Sequence, residues 1–142
     1  MCARFKFTVP EQFTKGNLNL FNKGPAQLEA RPGTLVPFVT PKGTEYMGLW
    51  TGFARIETLK TVWIAKGWKP VRIINGVSFQ ERDTTGGTKE LKEFPMKQGT
   101  GIGAVAKVVK GNYKDYVEVK VVTQPADENV KKVHHRMPKI LE

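Results

Sequence analysis

The sequence has little of what most often staples a small protein or holds a metal. Among 142 residues there is one cysteine, Cys2, and two histidines, His134 and His135. One cysteine excludes an internal disulfide framework and a multi-cysteine zinc site, and it makes a reducing, cytoplasmic setting the expectation. Long apolar runs are missing as well. No stretch approaches the roughly 20 residues of a membrane-spanning helix, and MCARFKFTVPEQF at the start has no apolar segment of signal-peptide length. Acidic residues are scarce: 13 Asp and Glu stand against 23 Lys and Arg, for a net charge of +10. Such a charge does not set a fold. It does attract polyanions, of which nucleic acid is the commonest in a cell.

What is present is enough for a core. The apolar fraction is 39%, which argues against wholesale disorder, and the length fits a single domain over residues 1–142. Strand-like patterning dominates. Residues 3–9 alternate as Ala, Arg, Phe, Lys, Phe, Thr, Val before Pro10. Residues 34–40 are short and apolar, with Pro37 arguing for an edge strand or a bulge. Asn75-Gly76 lies between apolar runs at 71–74 and 77–79, a hairpin signal. Gly111-Asn112 lies between valine-rich runs at 103–109 and 116–122 and predicts a second hairpin. Helical signals are few. Residues 10–15 can form a turn, residues 56–66 a short helix with Leu59 and Trp63 on one face, and residues 127–133 another with Asp127 as its cap. Residues 82–100 read as a mobile loop. The fold class expected is α+β with mainly antiparallel strands.

Four features bear on chemistry. Gly101-Ile-Gly103-Ala-Val-Ala106 has the glycine spacing of a dinucleotide fingerprint. It lacks the preceding strand and following helix that the motif needs, so a strand entered from a glycine turn is the better reading. His134-His135 lacks a second group of ligands, which leaves one of the two as an acid–base group near neutral pH, or neither. Cys2 follows Met1 directly. Were Met1 removed, the α-amine and thiol of Cys2 would form a 1,2-aminothiol, which condenses with an aldehyde first through nitrogen and then through sulfur. Finally, cations and aromatics interleave at Arg4, Phe5, Lys6 and Phe7, at Trp50, Phe53 and Arg55, and at Trp63, Lys66, Trp68 and Lys69. That pairing suits stacked unpaired bases and neighbouring phosphates, and it suits core tryptophans equally well.

Taken in order along the chain, several segments resemble the SOS response-associated peptidase (SRAP) family. They are Met1-Cys2-Ala3-Arg4-Phe5, Phe21-Asn22-Lys23-Gly24-Pro25-Ala26-Gln27, Thr34-Leu35-Val36-Pro37, Ala54-Arg55-Ile56-Glu57-Thr58, Ser78-Phe79-Gln80-Glu81, and Thr123-Gln124-Pro125-Ala126 followed by Val133-His134-His135-Arg136-Met137-Pro138-Lys139-Ile140-Leu141. A looser echo surrounds Met47 and Trp50. The chain is shorter than usual members, so the resemblance implies a single truncated domain, a compact open barrel of mainly antiparallel strands with a few short helices. Phe53 stands where the family carries an active-site asparagine, and Asn22 and Asn75 are the candidates to replace it.

The resemblance implies an enzyme that captures abasic sites in single-stranded DNA. Cys2, freed of Met1 by autocatalytic cleavage, would form a thiazolidine crosslink with the sugar aldehyde. Glu81 and His134 would be the acid–base pair, with His135 the variable neighbour. Arg4 and Arg55 would hold phosphate, and Trp50 would stack on a base or part the strands. Glu57 is read as the partner of a nearby cation, and Arg136, Met137 and Pro138 as supports for the strand presenting His134. No cofactor, metal or membrane partner is implied, and a monomer is expected. Two other readings compete: a non-covalent single-strand binder on the same scaffold, and a peptidase that acts only on its own Met1.

Overall fold

The computed structural model describes residues 4–8, 27–85 and 89–142. Alternating apolar and polar side chains build eleven strands among these residues. Four of them, β1 (Arg4–Thr8), β2 (Gln27–Ala30), β6 (Gly76–Arg82) and β7 (Leu91–Pro95), form an antiparallel sheet in the order β2-β1-β6-β7. The other seven are β3 (Leu35–Val39), β4 (Glu45–Arg55), β5 (Lys69–Ile73), β8 (Gly101–Val109), β9 (Tyr116–Pro125), β10 (Arg136–Pro138) and β11 (Ile140–Leu141). They form a sheet in the order β10-β9-β4-β3-β5-β8-β11, in which β8 also pairs with β9.

That last pairing closes a five-stranded ring, β9-β4-β3-β5-β8, where an open barrel was expected. The reason is the β8–β9 hairpin. One of its strands bonds to β5 and the other to β4, so the two ends of the sheet meet in one hairpin. The β4–β9 contact is parallel and every other pairing is antiparallel. The expectation of a strand-rich α+β fold with mainly antiparallel strands agrees with this arrangement. No helix among the described residues is long and apolar enough to cross a membrane.

The two sheets share one core. Phe5, Phe7 and Phe79 from the first sheet pack with Trp50, Ile73, Ile102, Val119 and Val121 from the second. A smaller cluster lies outside the ring, where Ala54, Trp68, Val105 and Val122 are covered by Ile56, Leu59 and Trp63. Those last three belong to the helical segment 56–66. It runs as a 3₁₀ turn (Ile56–Thr58), a π turn (Leu59–Trp63) and a further 3₁₀ turn (Ile64–Lys66), ending at Gly67 with φ of 93°. Its extent matches expectation, but it is not an α-helix. The segment near 130 is a single 3₁₀ turn (Val130–Lys132), and Asp127 caps it by accepting the Val130 N–H at 2.9 Å.

Three local expectations are corrected. Asn75-Gly76 is no hairpin turn. Asn75, with φ of 61°, turns the chain from β5 in one sheet to β6 in the other, and those strands do not pair. Its side chain donates to the Thr8 carbonyl at 3.1 Å, which ties the corner to β1. Pro37 lies in an interior strand rather than an edge. The β3–β5 ladder pairs only Phe38 and Val39, and the Pro37 carbonyl accepts the Ile74 N–H at 3.1 Å, so the N–H that Pro37 lacks is not required. Residues 82–100 are not all loop, because β7 lies within them and pairs with β6. The reading of Gly101 to Ala106 as the start of a strand holds in β8. The turn expected at residues 10–15 lies outside the described residues.

Candidate functional site

The C-terminal segment is held by Arg136, which is 6% exposed. Its guanidinium donates to both carboxylate oxygens of Glu57, at 2.6 and 2.9 Å, and to the carbonyl and hydroxyl of Thr123, at 3.0 and 3.1 Å. A fork of this kind fixes orientation as well as distance. It lowers the Glu57 pKa from its ordinary 4.5 to about 2, chiefly through the hydrogen bond from Arg136. Glu57 is therefore the partner of a cation, as expected, and Arg136 anchors the residues around it.

His134 lies two residues before that anchor. The Arg136 backbone N–H donates to His134 Nδ1 at 3.0 Å, while the Arg136 carbonyl lies 3.2 Å from the same nitrogen. One nitrogen cannot accept and donate at once, and the shorter contact makes Nδ1 the acceptor. Nε2 then carries the proton of the neutral ring. Burial, followed by the repulsion of neighbouring positive charge including His135, lowers the His134 pKa below its ordinary value. The His135 ring stacks on it, with centroids 4.6 Å apart.

His134 lines a cleft of about 460 Å³ together with Phe53, Arg55, Arg82, Thr84 and Thr123. Arg55 is well exposed, with 66% of its side chain accessible, and stands 3.8 Å from Glu57. The β6 end of the cleft is stitched to the histidine segment. Thr84 donates its N–H to the Val133 carbonyl at 2.9 Å, and the Thr85 hydroxyl donates to the Lys132 carbonyl at 2.8 Å. Arg55 and Arg82, the imidazoles of His134 and His135 and an apolar wall at Phe53 make this a basic cleft with a titratable ring on its lining. Arg82 and Thr84 were not singled out from sequence. Their signal was only their position just after Glu81.

Glu81 is the residue before Arg82 on β6 and is fully buried. Side chains alternate along a strand, so Glu81 shares the inward face of β6 with Phe79. The register sets Arg4 opposite Gln80, and the chain thus enters β1 beside the Glu81 end of β6. Cys2 and Asn22 lie outside the described residues. Arg4 itself is not part of the cleft: it faces the outer side of the first sheet and pairs with Glu29 at 3.2 Å. Asn75 sits at the other end of β6 from Glu81, with its amide engaged by Thr8.

Trp50 must be removed from the DNA-contacting candidates. It is 0% exposed, its ring lies 5.1 Å from Phe5 and 5.6 Å from Phe53, and its indole N–H donates to the Gly52 carbonyl at 2.8 Å. A ring so enclosed has no face to offer a base. Its size and its place on the inward side of β4 make it the centre of the core instead.

Neither a family model nor a curated protein matches this sequence. Solved structures do resemble the fold. A crystal structure of a protein from Bordetella bronchiseptica matches with a TM-score of 0.74 at 15% identity, over 99% of this chain and 84% of that one. A crystal structure of a protein from Bacteroides thetaiotaomicron matches with a TM-score of 0.71 at 12% identity, over 97% of this chain and 77% of that one. At these identities the likeness is one of fold. The class defined so far is a strand-rich α+β protein, with a closed strand ring backed by a second sheet and a basic, histidine-bearing cleft at one end.

Proposed function

We propose that this chain captures abasic sites in single-stranded DNA covalently, through Cys2 after hydrolytic removal of Met1. The observation that carries the reading is the β1–β6 register. It starts β1 beside Gln80 and Glu81, one residue from the cleft that holds Arg82 and His134. Cys2 stands two positions before Arg4 in the sequence. The ordered sequence resemblance to the SRAP family supplies the chemistry.

In this reading the Cys2 amine attacks the aldehyde of the ring-opened sugar and water leaves, giving a Schiff base. The thiol then adds across the C=N bond to close a thiazolidine. Glu81 takes up protons as the carbinolamine forms, and His134 donates to the sugar oxygen during ring opening; both are general acid–base roles. Arg55 and Arg82 hold flanking phosphates.

The test is incubation with a single-stranded oligonucleotide bearing one abasic site, read by denaturing gel and intact mass. The expected product is the protein without Met1 joined to the oligonucleotide with loss of one water, and it is absent in Cys2→Ser. Loss of Met1 without a covalent product overturns the proposal. Phe53, an apolar wall where the family has an amide, favours the second reading, a non-covalent single-strand binder. Under that reading retention is equal in Cys2→Ser and is abolished by salt.

A further inference from the structure

The end of the strand ring remote from the histidine cleft opens into a cavity of about 530 Å³. Each strand of the ring contributes to its wall: Phe38 from β3, Tyr46 from β4, Val71 from β5, Ala106 from β8 and Val117 from β9. Because β4 and β9 run parallel, both begin at this mouth and both finish at the cleft. Tyr46 and Arg55 are thus separated by roughly 30 Å of strand.

The wall is apolar and aromatic. Phe38, Val71 and Ala106 belong to the buried core, whereas Tyr46 is 46% exposed and packs its ring 5.7 Å from that of Phe38. One cation takes an inward-facing place at the lip. Lys69 pairs with Ala106 in the β5–β8 register, and its strand neighbours on the same face, Val71 and Ile73, are core residues. Lys107 also borders the cavity, but its ammonium donates to the Lys66 carbonyl at 3.1 Å on the outer side of β8. Among the described residues no carboxylate lines the cavity, and none forms an ion pair with Lys69. An uncompensated ammonium over an apolar concavity concentrates field toward an anion, and mouths of β-barrels are places where small ligands bind.

We propose that this mouth binds a free small acid, with a flat apolar body against Phe38 and Tyr46 and its single anionic group at Lys69. The site is independent of the cleft and of its proposed chemistry. A volume of about 530 Å³ accommodates one such molecule, within the roughly 300–1,000 Å³ of ordinary ligand pockets.

The test uses two fluorescent probes with the full-length protein: 8-anilinonaphthalene-1-sulfonate, and its uncharged relative N-phenyl-1-naphthylamine. The expected result is saturable binding of the sulfonate at one site per chain. Its Kd should rise about tenfold in Lys69→Gln, the loss of about 1.4 kcal/mol, with little change for the uncharged probe. Ala106→Trp, which fills the mouth, should abolish both signals. Lys69→Gln alters an exposed side chain, so the prediction stands even if Ala106→Trp fails to fold. Absence of saturable binding overturns the proposal, as does equal affinity of wild type and Lys69→Gln for the sulfonate. Displacement of the probe by an undamaged oligonucleotide, by anionic lipid vesicles or by self-association at high protein concentration also overturns it, because each would assign the mouth to a different occupant.

Discussion

Arg136 grips Glu57 across 79 residues of sequence, its two terminal nitrogens meeting the two carboxylate oxygens at 2.6 and 2.9 Å. The contact joins the strand after His134 to the helical segment after β4. It therefore sets where the imidazole stands relative to Arg55. It also has a pH signature. The folded Glu57 pKa of about 2 lies below its ordinary 4.5, so the unfolded chain binds the extra proton between these values. The contribution of the pair is then fully present above pH 4.5 and is lost as pH falls toward 2. Urea unfolding of wild type and Glu57→Gln should show the variant less stable at pH 7, with the gap narrowing steadily below pH 4.5. A gap independent of pH would mean that the carboxylate charge contributes nothing.

His134 titrates in the opposite sense to a histidine stabilised by a carboxylate. Burial is the main cause of its lowered pKa, so the unfolded imidazole takes a proton near 6.5 while the folded one still refuses it. Stability therefore declines as pH drops below 6.5, and this slope should vanish in His134→Gln. Nitrogen chemical shifts at pH 7.5 should show Nδ1 bare and Nε2 protonated, as the hydrogen bond from the Arg136 N–H requires. A ring protonated at Nδ1, or a pKa at or above 6.5, would contradict the geometry.

These two residues also show what sequence can reveal. The β8–β9 hairpin was legible because both strands are valine-rich and local, with glycine and asparagine between them. The partner of β4 was not. Its register with β9 pairs Leu49 with Glu118, and no local pattern encodes a parallel contact between strands so distant in sequence. Asn75-Gly76 misled because a positive φ serves a corner between sheets as readily as a hairpin. Leu91–Pro95 was passed over because a strand at the sheet edge, with Lys92 and Glu93 exposed, carries little apolar signal. Trp50 stands in a run with Phe53 and Arg55 in sequence, yet its strand turns it inward. Arg136 and Glu57 were read as a support and a cation's partner. That they hold each other emerged only when the fold brought them together.

Gly48 tests the packing of the ring directly. A Cβ there would lie 2.5 Å from Val119 Cγ2 and 2.8 Å from Phe38 Cε1. Both neighbours are core side chains with almost no exposure, so neither can swing into solvent. Gly48→Ala should cost about 1–3 kcal/mol by overpacking, read from the urea midpoint at unchanged slope. Val119→Ala in the same chain should recover part of that loss, because it removes the nearer obstacle. Additive losses in the double variant would place the strain elsewhere.

Arg55 and Arg82 give the nucleic-acid reading a quantitative test that does not depend on covalent chemistry. Both border the histidine cleft, and their charges are differently occupied. Arg55 stands 3.8 Å from Glu57, whose carboxylate is already engaged by Arg136, while Arg82 donates to the Lys89 carbonyl at 3.1 Å and gives up none of its charge. If each neutralises one phosphate of a bound single strand, it releases the counterions that phosphate had condensed. The slope of log affinity against log salt should then flatten by about 0.7 for each arginine replaced by glutamine. Measured on an undamaged oligonucleotide by anisotropy between low and moderate salt, Arg55→Gln and Arg82→Gln should each show that change, and the double variant about twice it. Arg72→Gln is the control, since Arg72 carries the same charge but lines a different part of the surface with Asn75, Gly76 and Gly99, outside the histidine cleft, and it should leave the slope alone. Equal slopes in the wild type and all four variants would move the strand off this cleft, and the placement of abasic-site chemistry beside His134 would fall with it.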